Sequence, residues 1–303
     1  LQPTSDAFSE SWAETAALPW GDPAGWPGRG AFHRAQVVSA APPAGAAVIG
    51  PLPGDNGPVS VEPVTALPSR ALRRAVTAQR WEHLSFLHWP VAPEAVAPLL
   101  PPGTRPDTLD GVTWVGLIGF RMVGIGLGVG PGVPYLGTFC ETNVRLYSVD
   151  GLGRRAVVFR SLDAERLLPV AVAQVALRLP YQWSRMRMAR DGDTFTYTCR
   201  RRGPAHRGVR SRMVVRAGEP IGSPTDLEHF LTARWALHTR AHGRTRYLPN
   251  AHPRWPLHRA ELLELDDELV AAAGLPQVQG PPPSVLYSPG VDVRFGAPVT
   301  LRD

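Results

Sequence analysis

Residues 139–160 read Phe139-Cys140-Glu141-Thr142-Asn143-Val144-Arg145-Leu146-Tyr147-Ser148-Val149-Asp150-Gly151-Leu152-Gly153-Arg154-Arg155-Ala156-Val157-Val158-Phe159-Arg160. Side chains alternate in character over 139–149, Asp150-Gly151 is a turn dipeptide, and 155–160 resume an apolar run, so the stretch predicts a β-hairpin. Period-two alternation sets Glu141, Asn143, Arg145 and Tyr147 on one face, with Cys140, Val144 and Leu146 on the other. An acid, an amide, a guanidinium and a phenol in one row suit the wall of a polar cavity. Arg145 can hold a carboxylate through paired hydrogen bonds, and a desolvated Glu141 can act as general acid or base. The same spacing also fits a solvent-facing strand whose charges pair across the hairpin with Arg154 or Arg160. Alternation alone leaves both open.

Outward from the hairpin, 84–89 reads as a strand, and Val91-Ala92-Pro93-Glu94 opens a short helix with proline in its first turn. A strongly apolar strand follows over 112–120, beyond the Asp110-Gly111 turn. The glycine-rich stretch 124–132 lacks G-x-G-x-x-G and a strand-loop-helix setting, which argues against a dinucleotide site. Downstream, Ser161 or Asp163 is placed to cap a helix running towards Leu177, and Asp191-Gly192-Asp193 joins two strands in a second hairpin. Ser223-Pro224-Thr225-Asp226 resembles a helix start, with the helix expected to reach His242 before Gly243. Its apolar stripe of Leu227, Phe230, Leu231 and Trp235 also carries Arg234 and His238, and an inward arginine needs a partner. A last helix is expected over 258–272 and a closing strand over 291–295. Strands mixed with three or four helices that do not alternate with them argue for an α+β domain.

The chain has 303 residues, of which 44% are hydrophobic, ample for a packed core. Residues 1–70 are rich in proline, glycine and alanine without a sustained period and read as an irregular extension, leaving 71–303 as the folded domain. Trp12, Trp20 and Trp26 are candidates for docking that extension on the domain. No apolar run is long enough to span a bilayer and no secretory signal pattern appears, so a cytoplasmic protein with no membrane partner is expected. Cys140 and Cys199 lie far apart without Cys-x-x-Cys spacing, and His238 and His242 lack the glutamate of H-E-x-x-H. No metal and no cofactor are expected.

All 32 basic residues are arginine. Without lysine there is no side-chain amine to form an imine and no P-loop lysine. The net charge is +6, with ten arginines between 185 and 216. Phe195, Tyr197 and Val214-Val215 alternate there as ordinary sheet residues without a base-stacking motif, which makes a solvated arginine face the better reading and a nucleic-acid partner unlikely.

Several segments, taken in order, resemble the YqjF family, a domain of unknown function related in fold to acetoacetate decarboxylase. They are His88-Trp89-Pro90-Val91, Asp110-Gly111-x-x-Trp114-Val115, the Glu141 row, Ser161-Leu162-Asp163-Ala164, Leu179-Pro180-Tyr181, Trp255-Pro256-Leu257 and Tyr287-Ser288-Pro289-Gly290-Val291. The resemblance covers roughly 79–295. It implies a mostly antiparallel β-barrel or cone, with helices packed outside and a central polar cavity. Leu179-Pro180-Tyr181 resembles the decarboxylase's Phe-Pro-Lys motif, with Tyr181 where the imine-forming lysine would stand. Schiff-base decarboxylation is therefore excluded, whereas cavity binding is not.

Two functions fit these residues. One is a lysine-independent enzyme acting on a small carboxylate or carbonyl compound, in which Arg145, assisted by Arg234, Asn143 and Tyr147, holds the ligand and Glu141 or Tyr181 moves a proton. The other is a non-catalytic protein holding a small ligand in the same cavity, walled by Trp114, Trp255 and Tyr287. The enzyme reading requires Glu141 and Arg145 to converge in one accessible cavity, where they are expected to form an electrostatic pair, whereas a closed, apolar cavity would favour the second. Neither sets an oligomeric state.

Overall fold

The computed structural model describes residues 59–72, 74–128, 130, 132–133, 135–166, 178–203 and 206–301. Trp12, Trp20, Trp26 and the segment 167–177 lie outside them. The 139–160 hairpin forms as β4 (Phe139–Asp150) and β5 (Arg155–Ala164). Around it run β1 (Thr77–Val91), β2 (Thr104–Pro106), β3 (Thr113–Leu127), β6 (Tyr181–Asp191), β7 (Thr194–Arg201), β8 (Arg210–Pro220), β9 (Ala236–Ala241), β10 (Arg244–Ala251), β11 (His258–Asp267), β12 (Ser284–Phe295) and β13 (Val299–Thr300). Among the described residues three short α-helices accompany them: α1 (Pro93–Val96), α2 (Asp226–Thr232) and α3 (Leu269–Ala272). No helix among the described residues is long and apolar enough to cross a membrane.

Following the pairings β4-β5-β6-β7-β8-β11-β12-β1-β3 and back to β4 closes a nine-strand ring, antiparallel except where β5 meets β6. All nine strands send apolar side chains into one shared core, among them Leu87, Leu117, Val144, Val158, Met186, Phe195, Met213, Leu262 and Tyr287. The ring interior is thus filled with side chains and α3 packs against it through Leu269 and Val270. β9 and β10 then bridge β5 to β12, closing a second and smaller ring that shares β12, β1, β3, β4 and β5. The faces of the shared strands that turn away from the first core look into this second space, which α2 also walls through Phe230 and Leu231.

Three sequence expectations are corrected. Residues 161–164, read as a helix cap, continue β5, and Asp163 there accepts two hydrogen bonds from Arg201, of 2.8 and 2.9 Å, and one from Ser184. The helix expected to reach His242 stops at Thr232. Its capping box at Thr225 and Glu228 forms, but 236–241 pair with β10. His242 and Gly243, read as a helix end, are the two positive-φ residues (54° and 80°) of a tight hairpin turn. The helix expected over 258–272 is β11 followed by the single turn α3. Across β11 and β8, Glu261 meets Arg216 at 3.1 Å, Glu264 meets Arg212 at 2.8 Å and Asp266 meets Arg210 at 3.5 Å. Part of the arginine-rich stretch is therefore neutralised by its neighbouring strand.

The described part of the N-terminal extension is not detached. Glu62 N–H donates to the Gly153 carbonyl (2.9 Å), Arg155 Nε donates to the Glu62 carbonyl (2.6 Å), and Trp235 Nε1 donates to the Thr65 carbonyl (3.2 Å). Val64 packs against the α2 cluster.

Candidate functional site

Alternation along β4 places Glu141, Asn143, Arg145 and Tyr147 in the second space, at 3, 4, 8 and 0% exposure. Val144 and Leu146 face the first core. The row is therefore a buried wall and not a solvated strand face.

Its lower half is organised by the end of α2. A helix leaves its last carbonyls without intrahelical donors, and here the site supplies them. Arg234 Nε donates to the Phe230 carbonyl (2.8 Å), Arg145 Nη2 and the Tyr147 hydroxyl both donate to the Leu231 carbonyl (2.7 and 2.8 Å), and Trp255 Nε1 donates to the Thr232 carbonyl (2.9 Å). The guanidiniums thus sit at the negative end of the helix dipole. Arg145 Nε also donates to the Tyr147 hydroxyl (3.1 Å), and its guanidinium lies 5.5 Å from the centre of the Phe86 ring. Among the described residues no carboxylate pairs with Arg145.

Arg234 does have a carboxylate partner, which the sequence reading missed. Asp107 binds Arg234 through one oxygen and Arg155 through the other (2.5 Å). Both Asp107 and Arg234 are buried, and Arg234 Nη2 has no hydrogen-bond partner among the described residues. His88 completes the cluster. Tyr147 gives its hydrogen to Leu231, so the 2.8 Å contact is His88 Nε2–H donating to the phenol oxygen, and His88 Nδ1 is left without a partner among the described residues. Burial and the two arginines hold the imidazole well below its ordinary pKa, hence neutral.

Beside these groups lies a cavity of about 30 Å³, walled by Arg145, Arg234, Thr232, Asn250, His252 and Trp255 among others. On the about 10–15 Å³ that one water requires, it has room for two waters or a carboxylate group. Trp255 stacks on Trp81 with ring centres 6.1 Å apart. Asn250 Oδ1 is buried without a donor among the described residues. His252 is pushed down to a pKa of about 4, chiefly by burial.

The upper half of the row has separate partners. Tyr181 donates to Glu141 Oε2 (3.1 Å), and Asn143 also bonds the Glu141 carboxyl. Burial raises the Glu141 pKa from 4.5 to about 7. Glu141 is not on the wall of the Arg145 cavity, and the expected Glu141–Arg145 pair does not form. Trp255 lines the cavity, and Trp114 packs beside Tyr147 in the α2 cluster. Tyr287 lies across the sheet in the first core, where its hydroxyl meets His83 Nδ1 at 2.8 Å. His238 meets Ser148 (2.8 Å) and Asp150 (3.4 Å), and no group of three potential metal-ligating side chains occurs among the described residues.

Asp107, Asn250, His252 and His88 had escaped sequence reading as site residues. Asn250 and His252 are two apart near the end of a strand, the same period-two signal that exposed the Glu141 row, but they fell just beyond a segment read as helix.

A family profile described as DUF2071, uncharacterized conserved protein, matches residues 78–292. The uncharacterized protein YqjF of Bacillus subtilis (strain 168) is 29% identical over 191 residues, 61% of this chain and 76% of that protein. The solved acetoacetate decarboxylase of Legionella pneumophila is similar in fold, with TM-score 0.53 at 13% identity over 82% of this chain and 98% of that one. So is the enduracididine biosynthesis enzyme MppR complexed with pyruvate, with TM-score 0.52 at 15% identity over 78% of this chain and 94% of that one.

Proposed function

For a chain that belongs to the DUF2071 family, YqjF-like and built on the acetoacetate-decarboxylase-like fold, we propose that the second space is a binding site for a small carboxylate or carbonyl compound, on which the protein acts by acid/base chemistry without lysine. One observation carries this reading. Arg145 is a buried guanidinium with no carboxylate partner among the described residues, on the wall of a carboxylate-sized cavity that it shares with the unpartnered Nη2 of Arg234. An unpaired buried charge is costly, and an anionic ligand would relieve it. That a protein of similar fold has been solved with pyruvate agrees with the ligand class.

In this reading Arg145 and Arg234 bind the carboxylate, Tyr147 positions Arg145 by accepting a hydrogen bond from its Nε, and Asn143 holds the Glu141 carboxyl. Glu141, with a pKa near neutrality, exchanges a proton with the substrate while Tyr181 orients it. The location of Glu141 outside the cavity wall favours a second reading in which the site holds its ligand without chemistry. Isothermal titration with acetate, glycolate and pyruvate tests the binding step. Saturable binding of at least one, lost in Arg145→Met, is expected, and no binding by any overturns the site. Deuterium uptake from D₂O at C3 of pyruvate, slowed in Glu141→Gln, supports the enzyme. Binding without exchange supports the holder.

A further inference from the structure

The cavity presents acceptors as well as donors, and a simple anion leaves the acceptors unused. Asn250, 7% exposed, has a buried Oδ1 with no hydrogen-bond donor among the described residues. His252, also 7% exposed, stands 2.7 Å from the Pro253 carbonyl through Nδ1. A carbonyl oxygen only accepts, so Nδ1 carries the ring hydrogen and Nε2 is a bare acceptor. The ring is held in place by Trp255 and Trp235, at 4.8 and 4.4 Å between centres. Both residues lie on the cavity wall with Arg145 and Arg234.

Resting on the carboxylate reading above, we infer that the ligand is a small 2-hydroxy acid whose polar end enters the cavity: its carboxylate is taken by Arg145 and Arg234, and its neutral hydroxyl donates to Asn250 Oδ1, with His252 Nε2 a second acceptor on the same wall. A buried carbonyl oxygen without a donor costs free energy that an apolar or purely accepting ligand cannot recover. A keto acid offers these acceptors only further lone pairs. An ammonium group would supply hydrogens, but it would enter a cavity walled by two guanidiniums, of which Arg234 alone has a carboxylate partner among the described residues, and that carboxylate, Asp107, is shared with Arg155. The amino acid is therefore disfavoured by charge, and the keto acid, held by its carboxylate alone, binds more weakly for want of a hydrogen to donate. The hydroxy acid satisfies both ends.

The test is isothermal titration of the full chain with glycolate against acetate, and with L- and D-lactate against propionate, pyruvate and alanine. A site built around a ligand hydroxyl discriminates strongly against analogues that lack it, so at least one lactate enantiomer should bind more than about tenfold tighter than propionate or pyruvate, with alanine weakest. In Asn250→Leu that preference should shrink to about threefold or less while propionate still binds. Arg145→Met should lose every ligand. If propionate and pyruvate bind as tightly as lactate and all are lost in Arg145→Met, the hydroxy-acid inference is overturned and the carboxylate site stands. If no acid binds the wild-type chain, both fall. The ligand comparison uses wild-type protein and does not depend on any variant folding.

Discussion

Tyr181 donates a 3.1 Å hydrogen bond to Glu141, joining β6 to β4 around a carboxyl whose pKa burial has raised from 4.5 to about 7. A group that holds its proton more tightly when folded makes the folded state lose stability as pH rises between those two values, because the unfolded chain releases that proton first. From pH 4.5 to 7 the Glu141 contribution should fall by roughly 3 kcal/mol. Urea unfolding at several pH values, wild type against Glu141→Gln, reads it. The wild-type curve should drop relative to the variant across this window, and parallel curves would remove Glu141 as a buried acid. Tyr181→Phe takes away a bond that favours the charged form and should move the titration higher.

Glu141 and Arg145 have separate partners despite sharing a strand face. Their Cα atoms are about 13 Å apart by strand rise. Glu141→Gln and Arg145→Met should therefore add in the double variant to within about 0.5 kcal/mol. A coupling above about 1 kcal/mol would show that they interact.

Asp107 should matter more to stability than any other member of the arginine cluster. Asp107→Asn leaves Arg155 and Arg234 without their shared carboxylate and is expected to cost about 3–5 kcal/mol. Arg145→Met removes a cation with no carboxylate partner, and Tyr147 still donates to the Leu231 carbonyl, so its cost should stay near about 1 kcal/mol. Chemical denaturation of both variants checks the ranking. A reversed order would mean that Arg145 has a counter-charge.

Chains beginning at Val59 and at Ala71 should differ in stability. The shorter one lacks the bonds made by Glu62 and Thr65 and the packing of Val64, and should be less stable by roughly 2 kcal/mol or more. Coincident melts would show that these contacts contribute nothing and would support a domain boundary near 70.

Gly290→Ala should be among the most damaging small substitutions. Gly290 has φ 129°, and an added Cβ would lie 2.0 Å from the Trp81 carbonyl oxygen in the adjoining β1. Backbone strain and backbone clash together should cost about 2 kcal/mol or more. A melt unchanged from wild type would mean that the β1–β12 register can yield there.

The sequence alone was enough to establish the β4–β5 hairpin, because strict alternation ending in Asp150-Gly151 has no helical counterpart, and enough to put Glu141, Asn143, Arg145 and Tyr147 on one face. It also excluded an imine on any side chain of this sequence, since none of its 32 basic residues is lysine. It misread 236–241 and 258–267 as helix because, over segments this short, apolar residues at helical spacing also occur on a bulged or half-buried strand. The deciding partners lie elsewhere in the chain: Arg244 to Ala251 for one, and Arg210, Arg212 and Arg216 for the other. Only the tertiary structure could divide the β4 row. Arg145 is turned to the last carbonyls of a seven-residue helix 86 positions away, and Glu141 to Tyr181 on another strand. Local spacing sets which face a side chain takes. What stands opposite it is set by the closure of two rings on one shared wall.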